Sequence, residues 1–261
     1  MTDVDMYLDQ ILQKYSPRAL TNHSLSVSGL KSALQTWAGT CYLSIHDSGS
    51  RAKGTAISLA SDIDFLVSLT SNCNENSGGL KSIYNSLYNT LNGSYTNVRK
   101  QNVSVRLNLN GLQVDVTPAR KQSNYTNDHS LYVSKLDTWK QTDVQKHITD
   151  VSMSGRINEI KLLKIWRELH GLDFPSIYAE YLLIKNVLVG KASNIYSLTN
   201  NFWYVLQELA KDTSNPLFNR VIDPANSNNV LSDLLTNGEK NKIITKAKES
   251  ARQQDWGSIV W

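Results

Sequence analysis

Residues 49–67 read GSRAKGTAISLASDIDFLV, and this run decides how the rest of the chain is read. Its end turns apolar in the manner of a strand rooted in a core, and strand side chains two apart share a face. Asp62 and Asp64 therefore project together from an exposed strand end. Two like charges on one face repel unless a cation sits between them, and Mg²⁺ characteristically takes one or two carboxylates plus water and substrate phosphates. Ahead of the pair stand Gly49, the Ser50 hydroxyl, Arg51 and Lys53, a set suited to a polyphosphate tail. The run lacks the GxxxxGK[ST] spacing of a P-loop, and a bare Asp-x-Asp also describes a solvated strand edge.

A third carboxylate moves the balance toward chemistry. Asp115 lies in QVDVTP between Val114 and Val116, so it points away from the valine face. If its strand lies beside that of Asp62 and Asp64, three carboxylates converge. Such a set holds two ions about 4 Å apart, Mg²⁺ or alternatively Mn²⁺, for in-line attack of a hydroxyl on a phosphoryl group.

Composition sets the frame for this reading. The 261 residues, 40% hydrophobic and 19% charged, describe a globular chain with room for one large domain or two lobes. A net charge of +4 suits polyanionic small molecules as well as nucleic acid, and no concentrated Lys/Arg stripe marks a DNA or RNA site. The N-terminal MTDVDMYLDQILQKY is amphipathic rather than a leader, and no apolar run is long enough to span a bilayer. The expectation is a cytoplasmic protein without a membrane role. Cys41 and Cys73 stand outside any CxxC spacing and are expected as reduced structural thiols. The histidines at 23, 46, 129, 147 and 170 show no ligand spacing.

Periodicity assigns helices to 4–15, 28–38 and 80–91 and strands to 41–48 and 61–69. VSVRLNLN (103–110) and LQVDVTPAR (112–120) read as two halves of a hairpin turning at Gly111. From about residue 141 the long runs favour helix, a polar turn-rich connection covers 212–230, and a last helix spans 237–253. The resulting division is a mixed-sheet lobe over 1–140, with the N-terminal helix packing across both lobes, and a helical lobe over 141–261.

The Gly-Ser turn, SDID and QVDV together resemble the polymerase β-like nucleotidyltransferase superfamily. Within it the chain is most similar to the branch of oligoadenylate synthetases, cyclic GMP-AMP synthase and the bacterial CD-NTases. INEIKLLKIWRELHG (157–171) resembles that branch's triphosphate-holding helix, FPSIYAEYLL (174–183) its nucleotide-facing helix start and VIDPANSNNV (221–230) its DP-x-x-x-x-N turn. The resemblance implies an α+β, two-lobed fold with the nucleotide in the cleft. It makes Asp62, Asp64 and Asp115 metal ligands, Asp115 also helping to deprotonate the attacking hydroxyl. Gly49, Ser50, Lys161, Lys164 and Ser176 become triphosphate contacts and Tyr178 the base-stacking ring. Read from the residues alone, KLLKIW is more simply an amphipathic helix with snorkelling lysines, and Tyr178 and Tyr181 are equally core aromatics.

The function so implied joins nucleoside triphosphates, ATP among them, into a cyclic di- or trinucleotide with release of pyrophosphate. The product is a second messenger of antiphage signalling, reaching a downstream cyclic-nucleotide-sensing effector. An RNA-end (CCA-type) or linear-oligonucleotide transferase shares the front motifs, and a catalytically silent nucleotide-binding module is the reading from outside enzymology.

Overall fold

The computed structural model describes residues 3–60, 62–74 and 76–261. The chain divides into two units, one of Arg18–Ala52 and Asp62–Ile148, the other of Met1–Pro17, Lys53–Ser61 and Thr149–Trp261. It therefore passes between the units four times, twice within the GSRAKGTAISLASDID run.

Elements follow in chain order: α1 (Asp3–Lys14), α2 (Ser24–Ala38), β1 (Tyr42–Ser48), the single turn α3 (Gly49–Ala52), β2 (Ile63–Leu69), α4 (Gly79–Asn92), β3 (Thr96–Lys100), β4 (Val105–Leu109) and β5 (Leu112–Lys121). Then come β6 (His129–Val133), β7 (Thr138–Thr142), α5 (Val144–Ser152), α6 (Ile157–Leu169), α7 (Ser176–Leu182), α8 (Leu198–Leu209), β8 (Ile222–Asp223), β9 (Asn226–Val230) and α9 (Asn237–Ser250). Ser61, the first residue of the expected second strand, lies outside the described residues.

The first unit is built on a mixed sheet, seven-stranded among the described residues, in the order β1-β2-β5-β4-β3. Among the described residues only β2 and β5 pair in parallel. β6 pairs with the last two residues of β5, and β7 with β6. Alternation explains which face is buried. Ile63, Phe65, Val67 and Leu69 of β2, Val105 and Leu107 of β4 and Val114 and Val116 of β5 share a core with Leu30 and Leu34 of α2 and Ile83, Tyr84, Leu87 and Leu91 of α4. The hairpin between β4 and β5 closes through Asn110 and Gly111, at φ 53° and 88°. Positive φ at both central residues is the demand of a two-residue turn whose twist matches its strands, and Asn-Gly meets it most cheaply.

Three expectations need correction here. β3 and β7 are carried by short polar runs and β6 by the five residues HSLYV, so the sheet is larger than the alternation of 103–120 alone indicates. Cys41 and Cys73 are not free thiols: they form a disulfide with Cα atoms 5.4 Å apart, joining the segment before β1 to the one after β2. The connection 212–230 also contains the β8–β9 hairpin. Its DP-x-x-x-x-N motif has a structural explanation, because buried Asp223 accepts from the Ala225 N–H at 2.9 Å and from Asn229 Nδ2 at 2.9 Å.

The second unit packs α1, α6, α7, α8 and α9 around one apolar core that includes Leu8, Ile160, Trp166, Tyr178, Phe202 and Ile243. The run 141–168 breaks into two helices at Gly155, whose φ of 68° no helix accommodates. α9 opens with a reciprocal cap between Thr236 and Glu239. The excursion 53–60 belongs to this unit, with Ile57 in its core.

Candidate active site

The same alternation that buries one face of the sheet writes a charged row on the other. Asp62 and Asp64 flank core Ile63, Asp115 lies between core Val114 and Val116, and Arg106 lies between core Val105 and Leu107. Register then aligns them across the strands. Parallel pairing sets Asp64 beside Asp115, and antiparallel pairing sets Arg106 beside Asp115 on its other edge. Ser48, the last residue of β1, pairs with Asp64.

Arg106 closes the row. Its Nε donates to Asp115 Oδ1 at 2.9 Å and its Nη2 to Asp115 Oδ2 at 2.5 Å, while Nη2 also lies 2.8 Å from Asp62 Oδ2. The guanidinium is held above its ordinary range, first by the hydrogen bonding to Asp115. Burial pushes the Asp62 carboxyl above the usual carboxylate range, against the lowering pull of Arg106 and with the charge of Asp115 adding to the rise.

The turn ahead of the carboxylates is pressed onto them. Gly49 has φ 67°, and a Cβ there would fall 1.9 Å from Asp64 Oδ2. Only glycine lets the backbone approach this carboxylate so closely. Ser50 is half-buried, and Arg51 donates to the Arg18 carbonyl at 3.1 Å. Burial lowers the Arg51 guanidinium, with the charge of Asp64 opposing that. A cavity of about 270 Å³ beside the turn is lined by Lys31, Ser48, Arg51, Asp64 and Phe65.

Other candidates lie in the helical unit, and the structure sorts them. Lys161 and Ser176 are half-buried, Ser176 accepting from Arg167 Nη1 at 3.2 Å. Lys164 is 1% exposed and donates from Nζ to the Thr55 carbonyl at 2.9 Å. Lys53, expected near a polyphosphate, turns inward to Glu180 Oε2 at 2.7 Å, and Thr55 Oγ1 donates to Glu180 Oε1 at 3.0 Å. Glu180 itself is fully buried. Tyr178 is a core ring, fully buried, with its hydroxyl 3.3 Å from the Leu217 carbonyl and its ionisation pushed up by burial. This corrects the base-stacking expectation for Tyr178, since no ring face is presented. Ile177, beside it in the chain, is half-buried.

Arg106 is the residue of the carboxylate row that motif reading passes over, and within the helical unit Glu180 and Thr55 are the unforeseen partners of Lys53 and Lys164. For Arg106 a signal existed: a two-residue Asn-Gly turn fixes the register, and counting back from it places residue 106 opposite 115. No comparable signal pairs Lys53 with Glu180, which are far apart in sequence.

Three carboxylates on one sheet face present the hard oxygen donors that a divalent cation such as Mg²⁺ takes. In this structure the positive charge between Asp62 and Asp115 comes from Arg106, and among the described residues no three His, Cys, Asp or Glu side chains are gathered around a common point. The donor chemistry of Asp62, Asp64 and Asp115 fits the ion.

Residues 2–154 match the Second Messenger Oligonucleotide or Dinucleotide Synthetase (SMODS) domain. No curated protein matches the chain significantly in sequence. Among solved structures, CdnC of E. coli MS115-1, determined with ATP, is 20% identical with a TM-score of 0.70, covering 94% of this chain and 89% of its own. CdnG, a CD-NTase of Bradyrhizobium diazoefficiens in complex with GTP, is 10% identical with a TM-score of 0.70, covering 98% and 94%. The c-UMP-AMP synthase CdnE of Rhodothermus marinus is 14% identical with a TM-score of 0.58, covering 93% and 94%. At these identities the likeness is one of fold.

Proposed function

Because the chain belongs to the SMODS family, in the CD-NTase branch of the polymerase β-like nucleotidyltransferases, and is a nucleotidyltransferase, we propose that it joins nucleoside triphosphates into a cyclic di- or trinucleotide with release of pyrophosphate. The observation that carries this reading is the carboxylate row Asp62, Asp64 and Asp115 with the Gly49 backbone packed against it. The solved structures of this fold with ATP, with GTP and with a c-UMP-AMP synthase's nucleotides support nucleoside triphosphates, ATP among them, as the substrates. The product acts as a messenger to a cyclic-nucleotide-sensing effector, in antiphage-type signalling inside the cell.

Asp62, Asp64 and Asp115 would hold Mg²⁺ or Mn²⁺. When bound, the metal supplies charge to the triphosphate and lowers the pKa of the attacking hydroxyl. Asp115 accepts the proton of that hydroxyl. Ser50 and the Gly49 backbone N–H orient the triphosphate, and Lys161 and Ser176 are the helical unit's contacts for phosphate oxygens. Lys164 acts one step removed, by fixing the Thr55 carbonyl.

The test is incubation of the purified protein with all four nucleoside triphosphates and Mg²⁺, then phosphatase and mass spectrometry. A phosphatase-resistant oligonucleotide is the expected product. Pyrophosphate release with only phosphatase-sensitive linear products would refute cyclisation.

A further inference from the structure

Arg106 is more than a neighbour of the carboxylates. Its fork takes both oxygens of Asp115, and Nη2 reaches Asp62 Oδ2 as well, so one guanidinium bridges two of the three acids. The Arg106 side chain is 24% exposed and that of Asp115 13%, so water screens the contact only in part. A guanidinium does not give up its proton under ordinary conditions, so its charge leaves only if the side chain moves. A divalent cation taken by the same carboxylates meets a fixed positive charge hydrogen-bonded to two of its donors. It also competes for oxygen lone pairs that the fork already uses.

We propose that Arg106 is the resting counter-cation of the carboxylate row. It holds Asp62 and Asp115 together while no divalent ion is bound and leaves them when one binds. Metal uptake is then an exchange of cations rather than an addition. This rests on the reading of the row as a metal-holding centre. The consequence is counterintuitive: removing a side chain that binds the acids strengthens the site's hold on metal. The cost falls on the metal-free fold, where Asp62 and Asp115 would face each other unneutralised.

The experiment is a nucleotide-free Mn²⁺ titration, following free Mn²⁺ by electron paramagnetic resonance, of the wild type, Arg106→Gln, Arg106→Lys and Asp62→Asn/Asp64→Asn. Arg106→Gln is expected to bind at least tenfold more tightly than wild type, Arg106→Lys close to wild type, and the double Asn variant not at all. Without metal, Arg106→Gln is expected to melt below wild type and to regain most of the loss on adding Mn²⁺. Equal or weaker binding by Arg106→Gln, with binding still lost in the double Asn variant, overturns the exchange and leaves the metal centre standing. Absence of Mn²⁺ binding in the wild type and in both Arg106 variants overturns both. Should Arg106→Gln fail to fold, the wild type still decides. Its Arg106 Nε–H resonance, assigned by its loss in Arg106→Lys, is expected to shift on Mg²⁺ saturation, and an unmoved resonance overturns the proposal.

Discussion

Gly49 and Asp64 stand so close that a Cβ on residue 49 would lie 1.9 Å from the Asp64 carboxylate. The substitution Gly49→Ala therefore displaces a carboxylate of the row and places an L side chain at φ 67°. The left-handed conformation alone costs about 1–2 kcal/mol. Turnover is expected to fall by about 10²-fold or more, in line with misplacement of reacting groups by about 1 Å. Steady-state pyrophosphate release on a variant that circular dichroism shows to be folded checks this.

Arg106 gives the three acids different structural weights. Asp64→Asn should abolish turnover with little change in stability. Asp115→Asn should also lower stability, by about 1–3 kcal/mol, because it weakens a two-pronged bond to a charged donor. Urea unfolding of the two variants side by side measures the difference, and equal stabilities would remove Arg106 from the account.

The two lysines of KLLKIW should separate. Lys164→Ala is expected to lower the melting temperature, since it opens a buried site and leaves the Thr55 carbonyl without its 2.9 Å donor. Lys161→Ala is expected to raise the KM for ATP by about tenfold with stability unchanged, the loss of one charge-assisted phosphate contact. Melting curves and initial-rate kinetics on both variants settle the assignment.

A related cycle tests the buried pair behind that carbonyl. Glu180→Gln leaves the buried Lys53 ammonium without its counter-charge, at a cost of about 3–5 kcal/mol. Adding Lys53→Met removes the stranded charge, and the double variant should recover more than half of the loss. Denaturant unfolding of the four proteins gives the coupling directly.

His129 supplies a pH dependence. Its Nδ1 lies 2.7 Å from the Asn127 carbonyl and must donate, so Nε2 accepts from Ser68 Oγ at 2.8 Å. Burial first of all lowers its ionisation below the ordinary histidine range. A folded-state pKa below the unfolded one means the unfolded chain binds the proton first. Stability from this group is full above the unfolded histidine pKa of about 6.5 and drains away as pH falls below it. His129→Gln should flatten the decline in unfolding free energy between pH 7.5 and 5 relative to wild type. An unchanged slope would count against it.

The disulfide predicts a redox-dependent stability. The bond joins residues 32 apart, for which the chain-entropy model gives roughly 3–4 kcal/mol. Reduction, or Cys41→Ser, should lower the unfolding free energy by up to that amount. Alkylation of the unfolded, unreduced protein should label neither cysteine.

Much of this site is legible in the order of residues alone. The strand that Asp62 precedes and that carries Asp64, the partner strand of Asp115 and the hairpin between 103 and 120 all follow from a period of two, a signal that burial of one face enforces. What stays hidden is long-range or local in other ways. β3 and β7 carry too few apolar residues to show the period, the TWKQT of β7 having one buried position, and in β6 the apolar Leu131, Tyr132 and Val133 are consecutive rather than alternating. The inward turn of Lys53 depends on Glu180, a partner no local pattern names. Tyr178 is open between base and core because both readings place an aromatic on the same helix. The Cys41–Cys73 bond needs the β1–β2 pairing that brings the flanking segments together.

The most direct test of the catalytic claim is pyrophosphate release from ATP and GTP with Mg²⁺, comparing the wild type with Asp62→Asn/Asp64→Asn at matched folded concentration. The carboxylate row predicts release by the wild type and none above background in the variant. Release by the variant at a rate near that of the wild type would contradict it.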